Sequence, residues 1–365
     1  MKINKHIILL GIIGAVIISL VFLRNGVLNV YPDTAVYVEQ VKYYNHEIPK
    51  SWSMNYRSFK PLYGFVGALI TPPFTAEQSI LFIDVIFFFG LLFSSFYFFK
   101  ELGFQENYSL IGATFIGTGY PLLKYGLALL TDISGWFFAT LTVTIFLVAI
   151  RKNSNRLLLL TSVIGFFGSL CKETGILGLL FAGLYLTFFL IKEKDIKYLK
   201  KIFYISLPFI LLQAIFLSVL ISRGGSSFLA WLKFNNQLVV GLRTPYLFFF
   251  TQLSTFSILW VYLLVSLYLI FRKKINISFN NKIIISCLLV SVLPIFAWPE
   301  FLSRVLYIEF LFIVPLILYA IRFINEKVRS KTLLFFIAFV PVLISMFLFS
   351  LAGNGSLFDV LRAFI

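Results

Sequence analysis

Long apolar runs separated by short polar breaks occupy almost the whole chain. Runs of near-spanning length lie at about 7–23, 79–99, 108–123, 127–150, 157–171, 174–191, 202–222, 250–271, 283–298, 305–321 and 332–351. A helix needs about 20 apolar residues to cross a bilayer. The pattern therefore predicts an all-α fold, a polytopic bundle of about eleven transmembrane helices forming a single transmembrane domain over residues 1–365. Two longer interruptions stand out, 24–78 and 223–249. In the first of them Pro32, followed by apolar residues at helical spacing, predicts a short helix lying in the membrane interface. On that helix Asp33, Tyr37, Gln40 and Tyr44 fall on one face. A further apolar piece ending at Ile70 is too short to span and reads as a second interfacial or re-entrant segment.

Composition narrows the class. Of the 365 residues, 60% are hydrophobic and 13% charged, with mean hydropathy +0.95. Soluble proteins carry about 25% charged residues, so a cytosolic enzyme and a secreted disulfide scaffold are excluded. The two cysteines, Cys171 and Cys287, lie in separate apolar runs and make no disulfide framework. A net charge of +16 would point to nucleic acid in a soluble chain; here it is read against the bilayer, and no nucleic-acid partner is expected.

The first run follows Lys2, Lys5 and His6 and has no small-residue cleavage signal after it, which predicts a retained signal-anchor with its N-terminus in the cytoplasm. With that orientation 19 of the 31 Lys and Arg fall on cytoplasmic segments. Eight of the other 12 sit in the two long outer loops, where charge counts little. The C-terminus is then extracytoplasmic, and the protein is expected to be a multi-pass protein of the cell membrane. No phosphate-binding loop of the G-x-x-x-x-G-K-[ST] type occurs, and the cytoplasmic loops are too short for a nucleotide-binding domain.

Ionisable groups at membrane depth cost roughly 2.5–3.5 kcal/mol each, so they face bundle interiors or wet cavities. In this chain they gather toward the outer side. Asp33 stands before the interfacial helix, where a cap is the ordinary use of an Asp; position 36 is Val, so no capping box completes it, and both uses stay open. Arg57 and Lys60 either hold an anionic head group or snorkel to lipid phosphates. Asp132 opens the run at 127–150, again as a cap or as a second carboxylate. Lys172 and Glu173 lie at the turn of two short legs sharing residues 157–191. Each leg reaches only about 26 Å against a hydrocarbon core of about 30 Å, which puts the turn at or below the outer interface. Arg304 either pairs with Glu300, four residues earlier, or grips a phosphate with its planar fork. Asp84 and Glu309 lie deeper and are expected to hydrogen-bond between helices.

Carboxylates and fixed cations at one face of the membrane make a kit for moving a group from a lipid phosphate. One carboxylate takes the proton of an acceptor hydroxyl while cations stabilise the charge growing on the departing phosphate. A divalent metal ion bridging carboxylate and phosphate is compatible with this chemistry and is not required by it.

These residues resemble the GT-C-type membrane glycosyltransferases, in particular the polyprenyl- or dolichyl-phosphate-sugar-dependent group that includes the protein-mannosyltransferase-like and aminoarabinose-transferase-like proteins. The resemblance rests on Tyr31-Pro-Asp33-Thr-x-x-Tyr37, Tyr56-Arg57-Ser-Phe-Lys60-Pro61-Leu, Thr131-Asp132, Lys172-Glu173-Thr174-Gly175, and Arg304 followed by Pro315, in that order over nearly the whole chain. It implies an inverting glycosyltransferase in which Asp33 is the catalytic base, with Asp132 a second catalytic carboxylate. Arg57, Lys172 and Arg304 would hold the donor phosphate, with Tyr37, Lys60 and Glu173 also at the substrate. The donor would be a polyprenyl-phosphate sugar and the acceptor a hydroxyl of a glycan, lipid or protein. Where some relatives carry adjacent acidic residues in the first loop this chain has Asp33 alone, which leaves the metal open. Only Ala352 to Ile365 follow the last run, so a sequon-reading role is not expected. The alternatives from other classes are a lipid-linked oligosaccharide flippase, whose charges should line a path across the bilayer, a polysaccharide polymerase using the 223–249 loop, and a non-catalytic scaffold.

Overall fold

The computed structural model describes residues 4–51, 54, 57–228, 230–233, 245–297 and 302–351. Among these, eight helices are long and apolar enough to cross a membrane: Lys5–Asn25, Ala76–Glu101, Asp132–Arg151, Glu173–Glu193, Ile196–Ser222, Phe279–Phe296, Ser303–Val328 and Thr332–Leu351. The other three predicted runs are helical but short or broken. Asn155–Cys171 has 17 residues. The run at 108–123 divides into Glu106–Gly117 and Tyr120–Tyr125, where Pro121 has no N–H to carry a helix across the join. The run at 250–271 is bent by 93° between Leu247–Phe256 and Leu259–Phe271, with Ser257 at a positive φ of 48°. The hydroxyls of Ser254 and Thr255 donate to the Thr251 carbonyl, and the Trp260 indole donates to the Gln252 carbonyl at 2.9 Å. Side chains thus take carbonyls that a continuous helix would have used.

Asp132–Arg151 is the central element, packed against Ala76–Glu101, Asn155–Cys171 and Leu177–Glu193. Its Ile133, Trp136, Ala139, Val143 and Phe146 are fully buried. Ile196–Ser222 is peripheral and exposes Leu199, Phe203, Ile210, Leu211 and Ile215, as a lipid-facing helix does. Both cysteines are buried and unpaired.

The bundle has two distinct ends. At one, Asn4 donates to Glu106 at 2.7 Å, Lys100 pairs with Glu106 at 3.0 Å and Arg151 with Glu101 at 2.9 Å. At the other, Arg24 donates to the Ser350 carbonyl at 3.1 Å and Tyr31 packs on Tyr125 with ring centroids 5.5 Å apart. This second end carries the first long loop. Both of its predicted short helices are present, Thr34–Tyr44 and Leu62–Ile70. They pack together across Gly64, where a Cβ would come within 2.5 Å of the Gln40 Cβ. Tyr37, Val41, Tyr63, Ile80, Ile83 and Leu130 form a small core beneath them. The second long loop lies mostly outside the described residues.

Candidate active site

Seven charged side chains from five distant segments meet at the second end. Asp33 occupies the N-cap position of Thr34–Tyr44, yet its side chain makes no cap bond. Its Oδ1 accepts from Arg57 Nη2 at 2.7 Å and its Oδ2 from Arg304 Nη2 at 3.2 Å. The capping alternative is thereby answered: Asp33 bridges two guanidinium groups. Arg304 also reaches Asp132 Oδ2 through Nη1 at 3.4 Å, so one planar fork links both carboxylates. Asp132 Oδ1 lies 3.2 Å from Lys172 Nζ, and that ammonium lies 4.0 Å from Glu173 Oε2. Glu173 pairs in turn with Lys60. The result is one chain of ion pairs, Arg57, Asp33, Arg304, Asp132, Lys172, Glu173 and Lys60, holding four cations against three carboxylates.

Exposure grades along this chain. The Asp33 side chain is 28% exposed and Arg304 22%, whereas Asp132 is 2% and Lys60 3% exposed. Asp33 and Arg304 are thus the members most open to solvent, and Asp132, Lys60 and Glu173 are buried behind them. Burial alone would raise the Asp33 carboxyl, but Arg57 and then Arg304 outweigh it and hold it well below the usual carboxylate range. Lys172 is pulled down by burial and pushed up more strongly by Asp132 and Glu173, so it stays a firm cation. For Lys60 burial wins over Glu173 and the ammonium is lowered.

The local fold dictates these positions. Asn155–Cys171 ends at Lys172, and the short 3-10 turn Glu173–Ile176 starts the return leg. A Cβ on Gly135 would lie 2.1 Å from Thr174 Oγ1 and 2.8 Å from Lys172 Cγ, so glycine there lets the turn settle against the start of Asp132–Arg151. Tyr37 is 1% exposed and its hydroxyl accepts from Arg57 at 3.2 Å and from Thr131 Oγ1 at 3.0 Å, which ties the interfacial helix to the Asp132 segment. Lys60 lies 5.1 Å from the ring centroids of both Phe59 and Trp231. Tyr125, Trp231 and Thr131 complete the surroundings; the first two carry no sequence signal, because aromatic residues are everywhere in this chain and only long-range packing selects them.

All eight residues singled out from sequence, Asp33, Tyr37, Arg57, Lys60, Asp132, Lys172, Glu173 and Arg304, lie in this cluster. Arg304 pairs with Asp33 and Asp132; Glu300 and Tyr56 lie outside the described residues. Asp84 accepts from the Tyr63 hydroxyl, and Glu309 accepts from Gln252 Nε2 at 2.9 Å on each oxygen, so both serve contacts between segments. Among the described residues no group of three or more His, Cys, Asp or Glu side chains is spaced to hold a metal ion. Asp33 and Asp132 are each engaged by Arg304.

No protein-family model matches the sequence, and no curated protein matches it. Among solved structures the chain is similar to the oligosaccharyltransferase of Archaeoglobus fulgidus in its apo form, with a TM-score of 0.60 and 13% identity. The match covers 98% of this chain and 56% of the archaeal one, so this chain spans little more than half of that protein's length. At this identity the likeness shows a shared fold.

Proposed function

We propose that the chain is a membrane glycosyltransferase that moves a sugar from a polyprenyl-phosphate carrier to a hydroxyl acceptor at the extracytoplasmic face, with the N-terminus in the cytoplasm. The observation that carries this reading is Asp33: an accessible, ionised carboxylate that caps no helix and stands beside cations in excess of their carboxylate partners. Asp33 takes the proton of the acceptor hydroxyl as its oxygen bonds to the sugar's anomeric carbon. The bond from that carbon to the phosphate oxygen breaks, and polyprenyl phosphate leaves from the opposite face, so the configuration inverts. Arg304, Lys172 and Arg57 meet the charge on the departing phosphate, and no step needs a metal. Asp132, buried between Lys172 and Arg304, positions those cations.

In the resting site Arg304 also depresses the basicity of Asp33. A donor phosphate that draws Arg304 to itself weakens that hold, so the base gains strength when the substrate arrives.

A lipid carrier is supported by an apolar groove of about 860 Å³ between the first helix, the last helix and Glu106–Gly117. Leu9, Val16, Leu110, Phe339 and Val342 line it, and Arg24 stands at its outer end. The likeness in fold to an oligosaccharyltransferase supports sugar transfer. The test is Asp33→Asn in purified membranes supplied with radiolabelled polyprenyl-phosphate sugar. Expression and insertion are expected to persist while transfer falls by about 10²–10⁴-fold, the usual worth of a general base. Turnover at the wild-type rate refutes the assignment.

A further inference from the structure

The interfacial helix has more on its polar face than the proposed mechanism uses. Gln40 and Tyr44 follow Asp33 and Tyr37 along that face, and they line a separate pocket of about 230 Å³. Its other walls include Lys50, Ser58, Leu220 and Arg223, from the first loop and the outer end of Ile196–Ser222. Sites for whole small molecules start at about 300 Å³, so this one fits a single sugar ring or head group.

Three features point to a ligand. Gln40 is 3% exposed, and its amide oxygen has no hydrogen-bond partner among the described residues, which is costly for a buried acceptor. Lys50 and Arg223 bring two cations, neither in an ion pair among the described residues, and no described carboxylate lines the pocket. The pocket also lies at a defined distance from the base. Gln40 is seven residues after Asp33, about 10 Å along the helix at 1.5 Å per residue. That separation is about the length of one or two sugar units.

We infer that this pocket is the acceptor subsite, and that the acceptor bears a phosphate held by Arg223 and Lys50, with the Gln40 side chain in the wall beside it. The inference rests on the glycosyltransferase reading for its role, but the binding can be measured without any transfer. An Arg fork and a Lys point charge are both established phosphate ligands. The phosphate comes either from a soluble phosphorylated glycan or from a lipid head group, which share this chemistry.

The experiment titrates the full chain in neutral maltoside micelles with sn-glycerol 1-phosphate, short-chain phosphatidylglycerol and glycerol, by calorimetry. Wild type is expected to bind at least one of the two phosphates and to ignore glycerol. Preference for glycerol phosphate identifies a soluble source and preference for phosphatidylglycerol a lipid one. K50E/R223E is expected to weaken that binding at least tenfold, and Gln40→Leu to weaken it less, while Asp33→Asn leaves it intact. Phosphate binding by a chain that transfers no sugar upholds the pocket and overturns the transferase reading. Equal binding by K50E/R223E and wild type, or no preference for phosphate over glycerol, overturns the pocket.

Discussion

At the scale of single residues, Arg304 is the member of the cluster with two duties. Its fork holds Asp33 and Asp132 together, and, being 22% exposed, on the proposed mechanism it also meets the donor phosphate. A lysine keeps the charge but has one nitrogen for two carboxylates. Arg304→Lys is therefore expected to lose about 1.5 kcal/mol of donor binding, roughly a tenfold rise in donor KM, with insertion unchanged. Steady-state kinetics on reconstituted protein check this; an unchanged KM would detach Arg304 from the phosphate. Sequence reasoning reached every member of the charged cluster, because charge at membrane depth is expensive and so conspicuous. It left the use of Asp33 open, since an N-cap position and an ion-paired carboxylate read alike until Arg57 and Arg304 are seen to take both oxygens.

Among elements, the turn between Asn155–Cys171 and Leu177–Glu193 governs the buried half of the site. The two legs touch through Gly168 and Gly175, and a Cβ on Gly175 would come within 2.5 Å of the Gly168 carbonyl carbon and oxygen. Backbone cannot step aside as a side chain does. Gly175→Ala is expected to cost about 1–3 kcal/mol by overpacking, lowering the melting temperature in detergent, and to move Lys172 away from Asp132 so that transfer falls with it. A variant as stable and active as wild type would show that the legs have slack. The shortness of Asn155–Cys171 was legible from residue spacing, whereas the return leg, expected to be equally short, runs as Glu173–Glu193 for 21 residues and is long enough to span. The 93° bend at Ser257 was not legible, because it arises where hydroxyls and the Trp260 indole draw carbonyls out of a continuous apolar run.

For the whole molecule, the two ends of the bundle make topology testable. Val27 is 55% exposed near the site end, Lys152 is exposed at the other, and the native cysteines are buried. In intact cells a membrane-impermeant maleimide is expected to label Val27→Cys and spare Lys152→Cys. The reverse pattern would place the site in the cytoplasm and exclude the proposed donor. The bundle class was legible in the apolar pattern. The number of crossings was not, since among the described residues helix length yields eight, or nine with the bent pair, where the run count predicts eleven.

The linked run of opposite charges, from Arg57 to Lys60, has a consequence for the end of a catalytic cycle. With no substrate bound, each of the four cations already has a carboxylate partner within the site, leaving one positive charge in excess. On the proposed reading, Asp132, and Asp33 once it has released the proton it took, would reclaim Arg304 and displace the discharged lipid phosphate. Ejection of the used carrier would then be a built-in recoil.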